Sequence, residues 1–193
     1  DTLHYDMNTK WAEVEGPSNI LSGDNHIYTE RGFYNTQTQK AELFDKTVLF
    51  NQGRRMTGDS LFYDKNAGIM KAFRNIVYED KKNRNILIGH YCWYNELTGE
   101  ALATDSALAK DYSSSEDTLF VHADTLRLYT YNMETDSVYR VMHGYFHVRA
   151  YRTDVQAVCD SLVFNSREKK MTLFRDPIVW SEGRQVLGEE INV

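Results

Sequence analysis

The side chains best able to do chemistry are a set of recurring acids, six histidines and two cysteines, and their spacing limits what they can do. Asp1, Asp59, Asp124 and Asp160 open similar short segments, which invites an acid/base or calcium reading. On strands two apart in a sheet such carboxylates would lie about 10 Å from one another, at ~4.8 Å per strand, too far to share an ion. A structural role at the start of a strand is therefore expected of them. His143 and His147 have the i, i+4 spacing that chelates zinc on a helix. On a strand that spacing separates the two residues by about 13 Å, which rules against a joint site. Cys92 and Cys159 form no CxxC pair, so zinc and thioredoxin-type chemistry lack support, and two buried free thiols are expected. No GxSxG nucleophile motif and no Gly-rich phosphate loop occurs. The expectation is a protein that is not an enzyme and needs neither metal nor cofactor.

Composition points to a β-rich chain. Among 193 residues, 41% are hydrophobic and 26% charged, and apolar runs such as residues 86–88 are far too short for a membrane-spanning helix. Thirteen Tyr and nine Phe against two Pro fit strands better than helices or a disordered chain. A net charge of −6 argues against nucleic acid as a partner, because that affinity comes mainly from Lys and Arg. The chain does not open on a basic segment followed by an apolar core, so a signal peptide is expected to be missing from this sequence.

The elements that must position these residues are visible as an internal repeat. The segments DTLHYD (1–6), ERGFYN (30–35), DSLFYD (59–64), HYCWYN (90–95) and DSLVFN (160–165) align without gaps, and YTYN (129–132) supplies the same ending in a sixth copy. Each ends in an aromatic residue followed by Asp or Asn. Eleven residues after the first position of each gapless copy comes Ala12, Ala41, Met70, Ala101 or Met171, so the intervening turn has constant length. These turns are rich in the Gly, Asn, Thr and Lys that close hairpins. Each unit thus reads as a strand, a tight turn and a returning strand, and 1–193 as one all-β domain of tandem units with about 12 or more antiparallel strands. In the fifth copy ADTLRLY (123–129) also resembles the unit's opening, which implies about three residues inserted before Tyr131 and a bulge or longer strand there. The Ala-rich stretch 100–111 could be helical on propensity alone; its place in the repeat decides for strand. DYSSSED (111–117) reads as an exposed loop.

Alternation along strands assigns faces. Asp59, Leu61 and Tyr63 are expected to share one face, which elsewhere carries Leu3 with Tyr5, Cys92 with Tyr94, and Leu162 with Phe164. Leu128 joins them from the fifth copy. On the returning strands Val14, Leu43, Ala72, Ala103 and Leu173 share the face of the Ala or Met landmark. Such a face is either an ordinary core or the lining of an apolar groove.

The phrases MTGDSLFYD, VHADTLRLY and AVCDSLVFN resemble the repeat of the OstA-like (organic solvent tolerance) family, the periplasmic proteins that carry lipopolysaccharide to the outer membrane of Gram-negative bacteria. The resemblance covers almost the whole chain and fits either the LptA-like members or the N-terminal domain of the LptD type. It implies an open β-jellyroll, a V-shaped slab of antiparallel strands whose apolar groove, lined by the residues just named, holds acyl chains. The implied partners are lipopolysaccharide or a related lipid, further β-jellyroll transport proteins joined through edge strands, and other copies of the chain head to tail. The implied location is the periplasm and the implied role is outer-membrane biogenesis. Because the sequence starts and stops inside a unit, it is expected to be a segment of a longer protein. Each buried methylene contributes about 0.8 kcal/mol, so a fully enclosed fourteen-carbon chain would be held by roughly 10 kcal/mol; a conduit needs an open groove instead. The alternative is a structural module whose apolar face is a closed core and whose edges bind protein. A parallel β-helix enzyme with catalytic acids is a third reading, opposed by the hairpin-like turns.

Overall fold

The computed structural model describes residues 2–22, 25–51, 53–113, 117–133 and 135–193. Asp1 and the centre of the 111–117 loop lie outside the described residues. In chain order the strands are β1 (Thr2–Tyr5), β2 (Trp11–Ser22), β3 (Asn25–Asn35), β4 (Lys40–Asn51), β5 (Arg54–Asp64), β6 (Ile69–Asp80), β7 (Asn85–Asn95) and β8 (Glu100–Asp111), followed by β9 (Leu119–Tyr131), β10 (Tyr139–Arg152), β11 (Val155–Asn165), β12 (Lys170–Phe174), β13 (Ile178–Ser181), β14 (Arg184–Leu187) and β15 (Glu190–Asn192). From β1 to β12 each strand pairs with the next, and β15 closes the path on β12. Every pairing is antiparallel, which removes the parallel β-helix reading. The Ala-rich stretch is strand β8, as its place in the repeat required.

The hairpin turns explain half of the repeat's signature. The Asp or Asn after the aromatic residue caps its turn: the backbone N–H groups of Asn8, Thr38, Ala67, Leu97 and Arg167 donate to the Oδ1 atoms of Asp6, Asn35, Asp64, Asn95 and Asn165 at 2.8, 2.9, 3.1, 2.9 and 3.0 Å. Each turn then closes on a left-handed residue, Lys10, Gln39, Gly68, Gly99 or Lys169. At Gly99 a side chain has no room, since a Cβ would meet Thr130 and the Met133 sulfur.

The other half of the signature is a bend in mid-strand. Phe44 pairs with Ser60 and Thr47 with Gly58, so two residues of β4, Asp45 and Lys46, face one of β5, Asp59. Both bulge residues are left-handed, with φ of 60° and 62°. The same step recurs at Arg74–Asn75, Asp105–Ser106 and Arg175–Asp176, with single left-handed residues at Gly16 and His147. Neighbouring strands bulge at matching positions, so the bulges form one crease that divides the sheet into two walls. Beyond it the role of a returning strand passes from β12 to β13, which pairs with the other half of β11.

Alternation slips at the crease. On odd strands the inward residues either side are i and i+3, as in Gly58 and Leu61; on even strands they are i and i+4, as in Ala72 and Ile76, and all four are buried. The expectation that Asp59 shares a face with Leu61 is therefore corrected, because residues 59 and 60 both turn outward at the corner. The recurring acids also do not mark strand starts: β5 begins at Arg54, five residues before Asp59. Their partners are the strained bulge residues of the following strand. Lys46 Nζ lies 3.6 Å from Glu30, Asn75 Nδ2 donates to Asp59 at 3.0 Å, His147 Nδ1 lies 2.8 Å from Asp124, and Arg175 is 3.3 Å from Asp160. A left-handed non-glycine residue costs on the order of 1–2 kcal/mol, and each clasp offsets part of that.

The fifth unit departs where the insertion suggested. Ala101 pairs with Leu128, so Leu128 takes the place of Tyr63 and Tyr94, and residues 129–131 lengthen β9 beyond the line of turns, paired to Tyr139–Val141. Tyr131 and Tyr139 stack there with ring centroids 5.0 Å apart, and Thr130 Oγ1 donates to the Gly99 carbonyl at 2.8 Å.

Candidate functional site

The inner faces of the two walls meet along the crease and become more exposed toward the turns. At the crease the lining is small or branched and closed to solvent: Ala72, Ile76, Ala103, Ala107, Ala123, Leu162 and Leu173 are all 0% exposed. One step toward the turns stands a second row, half-buried and larger. Tyr63, Met70, Met142, Phe164 and Met171 occupy it on one wall, and Ile27, Leu49, Tyr78, Leu87, Leu119 and Val155 on the other, all packed against the crease residues. Tyr94 and Leu128, half-buried, flank Ala101 in the same row of the first wall. The site is thus a closed apolar seam under an apolar, partly open rim. The packed seam conforms to the close packing of protein interiors and leaves no room for a chain beside it.

Most of the sequence-derived positions fall in one of these layers. Leu43, Leu61, Ala72, Cys92, Ala103, Leu162 and Leu173 are buried seam residues; Tyr63, Tyr94, Leu128 and Phe164 stand at the rim. Val14 is half-buried in β2, while Leu3 and Tyr5, on the short first strand, are 67% and 47% exposed. The rim of the second wall was missed, because alternation was followed only in the half of each unit that follows the acid. Its signal was present at period two away from each corner, as Met56 and Leu87 before it on odd strands and Tyr78 after it on an even strand.

Burial raises the pKa of the phenols at the rim. The Tyr63 phenol is pushed up to about 12 by burial and by the Glu96 carboxylate, to which its hydroxyl donates at 3.1 Å. Burial also pushes Tyr78 up to about 12 and raises Tyr94, while Arg54 and Arg140 act in the opposite sense on both. The Cys92 and Cys159 thiols are free and buried, and burial lifts them to about 12 and about 11, so neither is a thiolate nucleophile at neutral pH. Asp80 closes the second wall's turn: burial raises its pKa, but hydrogen bonds from Asn83 and the adjacent Arg54 outweigh this and leave it below the usual carboxylate value.

The outer face is a different surface. Phe33, Phe44, Phe62, Phe73 and Tyr91 form a ladder across five strands, with successive centroids 6.2, 5.6, 5.6 and 5.2 Å apart. Further along, His143 receives or donates a 2.8 Å bond with the Tyr145 hydroxyl and lies edge-on to Tyr129; burial and Arg127 lower its pKa. His143 and His147 thus serve different partners. Among the described residues no group of three or more His, Cys, Asp or Glu converges in a way that could hold a metal ion.

No protein-family model and no curated protein matches the sequence. Among solved structures the chain is similar to LptH of Pseudomonas aeruginosa, the LptA-homologous periplasmic component of a lipopolysaccharide transport device, with 11% identity and a TM-score of 0.51 over 71% of this chain and 94% of that one. The creased antiparallel meander and that superposition together show that the chain has the LptA-like β-jellyroll fold.

Proposed function

We propose that this chain is a non-enzymatic, periplasmic lipid-binding module of lipopolysaccharide transport and outer-membrane assembly. The observation that carries the reading is the two-layered inner face: a rim of large apolar residues on both walls, half exposed above a sealed seam, on a fold shared with a lipopolysaccharide transport component. Acyl chains lie along the rim between the walls rather than in the seam. Partial burial holds them with only a part of the ~0.8 kcal/mol per methylene that full burial gives, so they can be handed on.

The ends of the slab are the surfaces for other β-jellyroll proteins or for another copy of this chain. β1 is four residues long and exposed throughout, and it pairs only with residues 12–15 of β2, so among the described residues the Ser18–Leu21 half of β2 has a bare edge. At the opposite end residues 189–193 run along residues 171–175 of β12, so the outer edge there is that of the three-residue β15. These bare edges also favour a second reading, an assembly module that binds protein through its edges and carries no lipid.

Calorimetric titration with lipopolysaccharide separates the two. Tyr94→Glu and Phe164→Glu at the rim should weaken binding at least tenfold, whereas Phe62→Glu on the outer face should leave it unchanged. Absence of any lipopolysaccharide binding by the unmodified chain removes the lipid reading.

A further inference from the structure

We propose that the β7–β8 segment of the crease is the point at which the two walls part. The crease is clasped on its outer side at four pairs of an odd strand and the strand that follows it: Glu30–Lys46 and Arg31–Asp45 join β3 to β4, Asp59–Asn75 joins β5 to β6, Asp124–His147 joins β9 to β10, and Asp160–Arg175 joins β11 to the end of β12. Each clasp ties a left-handed bulge residue to the corner residue across from it and so fixes the angle between the walls at that place. The β7–β8 pair has the same bulge, with Asp105 and Ser106 both at φ 62°, but His90 stands where the other units have an acid. Among the described residues no hydrogen bond or ion pair joins the side chains of His90, Asp105 and Ser106 to one another. On its other side β8 is fastened: Thr104 Oγ1 donates to the Asp124 carbonyl at 3.1 Å and lies 2.9 Å from the Thr125 hydroxyl.

The inner side agrees. The residues β8 turns inward are Ala101, Ala103, Ala107 and Ala109, where β4 has Ala41, Leu43, Thr47 and Leu49 and β6 has Met70, Ala72, Ile76 and Tyr78. The walls therefore have the least side-chain bulk to pull apart where the outer clasp is missing. β8 stays paired to β7 and to β9 on both sides of the register shift, so the walls can part by rotation at the left-handed bulge. That this opening admits a lipid rests on the groove reading above; the hinge does not.

Pulsed EPR distances between nitroxides on opposite walls test it. Lys65→Cys/Lys82→Cys spans a clasped segment and Thr98→Cys/Ser113→Cys the unclasped one; the two native thiols are buried and stay unlabelled. The Thr98–Ser113 distribution should be at least twice as wide as the Lys65–Lys82 one. Asp59→Ala should widen the Lys65–Lys82 distribution to match, and the pair His90→Asp/Ser106→Asn, which rebuilds the Asp59–Asn75 clasp at the equivalent positions, should narrow the other. Equal widths in the unmodified background, or no narrowing in the His90→Asp/Ser106→Asn chain, overturn the proposal. Unequal distributions that added lipopolysaccharide leaves unchanged overturn the lipid reading of the groove and leave the hinge standing.

Discussion

The seam and the rim of the inner face are made of the same apolar residue types on the same strands, yet they occupy different physical situations. Leu162 and Phe164 are two residues apart and point the same way, one fully enclosed and the other half in solvent. What separates them is distance from the crease, where the walls converge to sheet-packing range and side chains interdigitate. An apolar face of this kind is a core at its base and a binding surface at its edge. A residue's type does not say which, and its place relative to the bulge does.

The contrast is broken most directly from the seam. Leu162→Ala or Leu43→Ala removes enclosed methylenes beside neighbours that cannot close in, and should cost about 2–5 kcal/mol in urea unfolding. Tyr94→Ala at the rim should cost clearly less stability and yet reduce lipopolysaccharide binding. Equal losses of stability at Leu162 and Tyr94 would merge the two layers into one core.

The second effect distinguishes the walls by pH. The Asp80 side chain is 5% exposed and its folded pKa is lowered from 3.8, against burial, by Asn83 and by Arg54 at 3.3 Å. Below that reference value the unfolded state takes up a proton before the folded state does, so the stability contributed by Asp80 is present above pH ~4 and lost as pH falls through the folded pKa. Asp80→Asn should lower stability at pH 7 by about 1–2 kcal/mol, discounted because Arg54 is half exposed, and should flatten the acid-side decline that sets in below pH ~4. An unchanged pH profile would contradict this role.

A smaller effect tests the turns. Asn165→Ala removes the acceptor for the Arg167 N–H and should cost roughly 0.5–1.5 kcal/mol without changing lipid binding. Thermal unfolding alongside the binding titration reads both quantities.

Much of this was legible in the residues. The aromatic-Asx ending and the constant turn gave antiparallel hairpins, and Asn35, Asp64 and Asn95 turn out to be caps for a local reason any reader of turns can state. The lengthened unit was visible at Tyr131, because its copy fell out of step. The crease was not. Asp45–Lys46 and Arg74–Asn75 look like ordinary polar strand residues, since nothing in a residue's type announces a left-handed φ outside Gly and Asn. Once the period of two slips by one at each corner, plain alternation carries Asp59 onto the wrong face and stops short of Tyr78 and Leu87. The i, i+3 spacing of Gly58 with Leu61 and the i, i+4 spacing of Ala72 with Ile76 were the available signals, and only strand pairing gives them meaning. Whether an apolar layer is sealed or open also depends on the angle between walls, which is a property of the whole sheet.

The central claim is that lipid lies against the inner rim. Trp93 and Tyr94 are consecutive in β7 and point to opposite faces, Trp93 opposite Lys71 and Tyr94 opposite Met70. A photo-reactive phenylalanine placed at each position in turn and irradiated with lipopolysaccharide compares the two faces at one site. The account predicts a lipopolysaccharide adduct from position 94 and little or none from position 93. Equal adducts from both positions, or an adduct from position 93 alone, would contradict it.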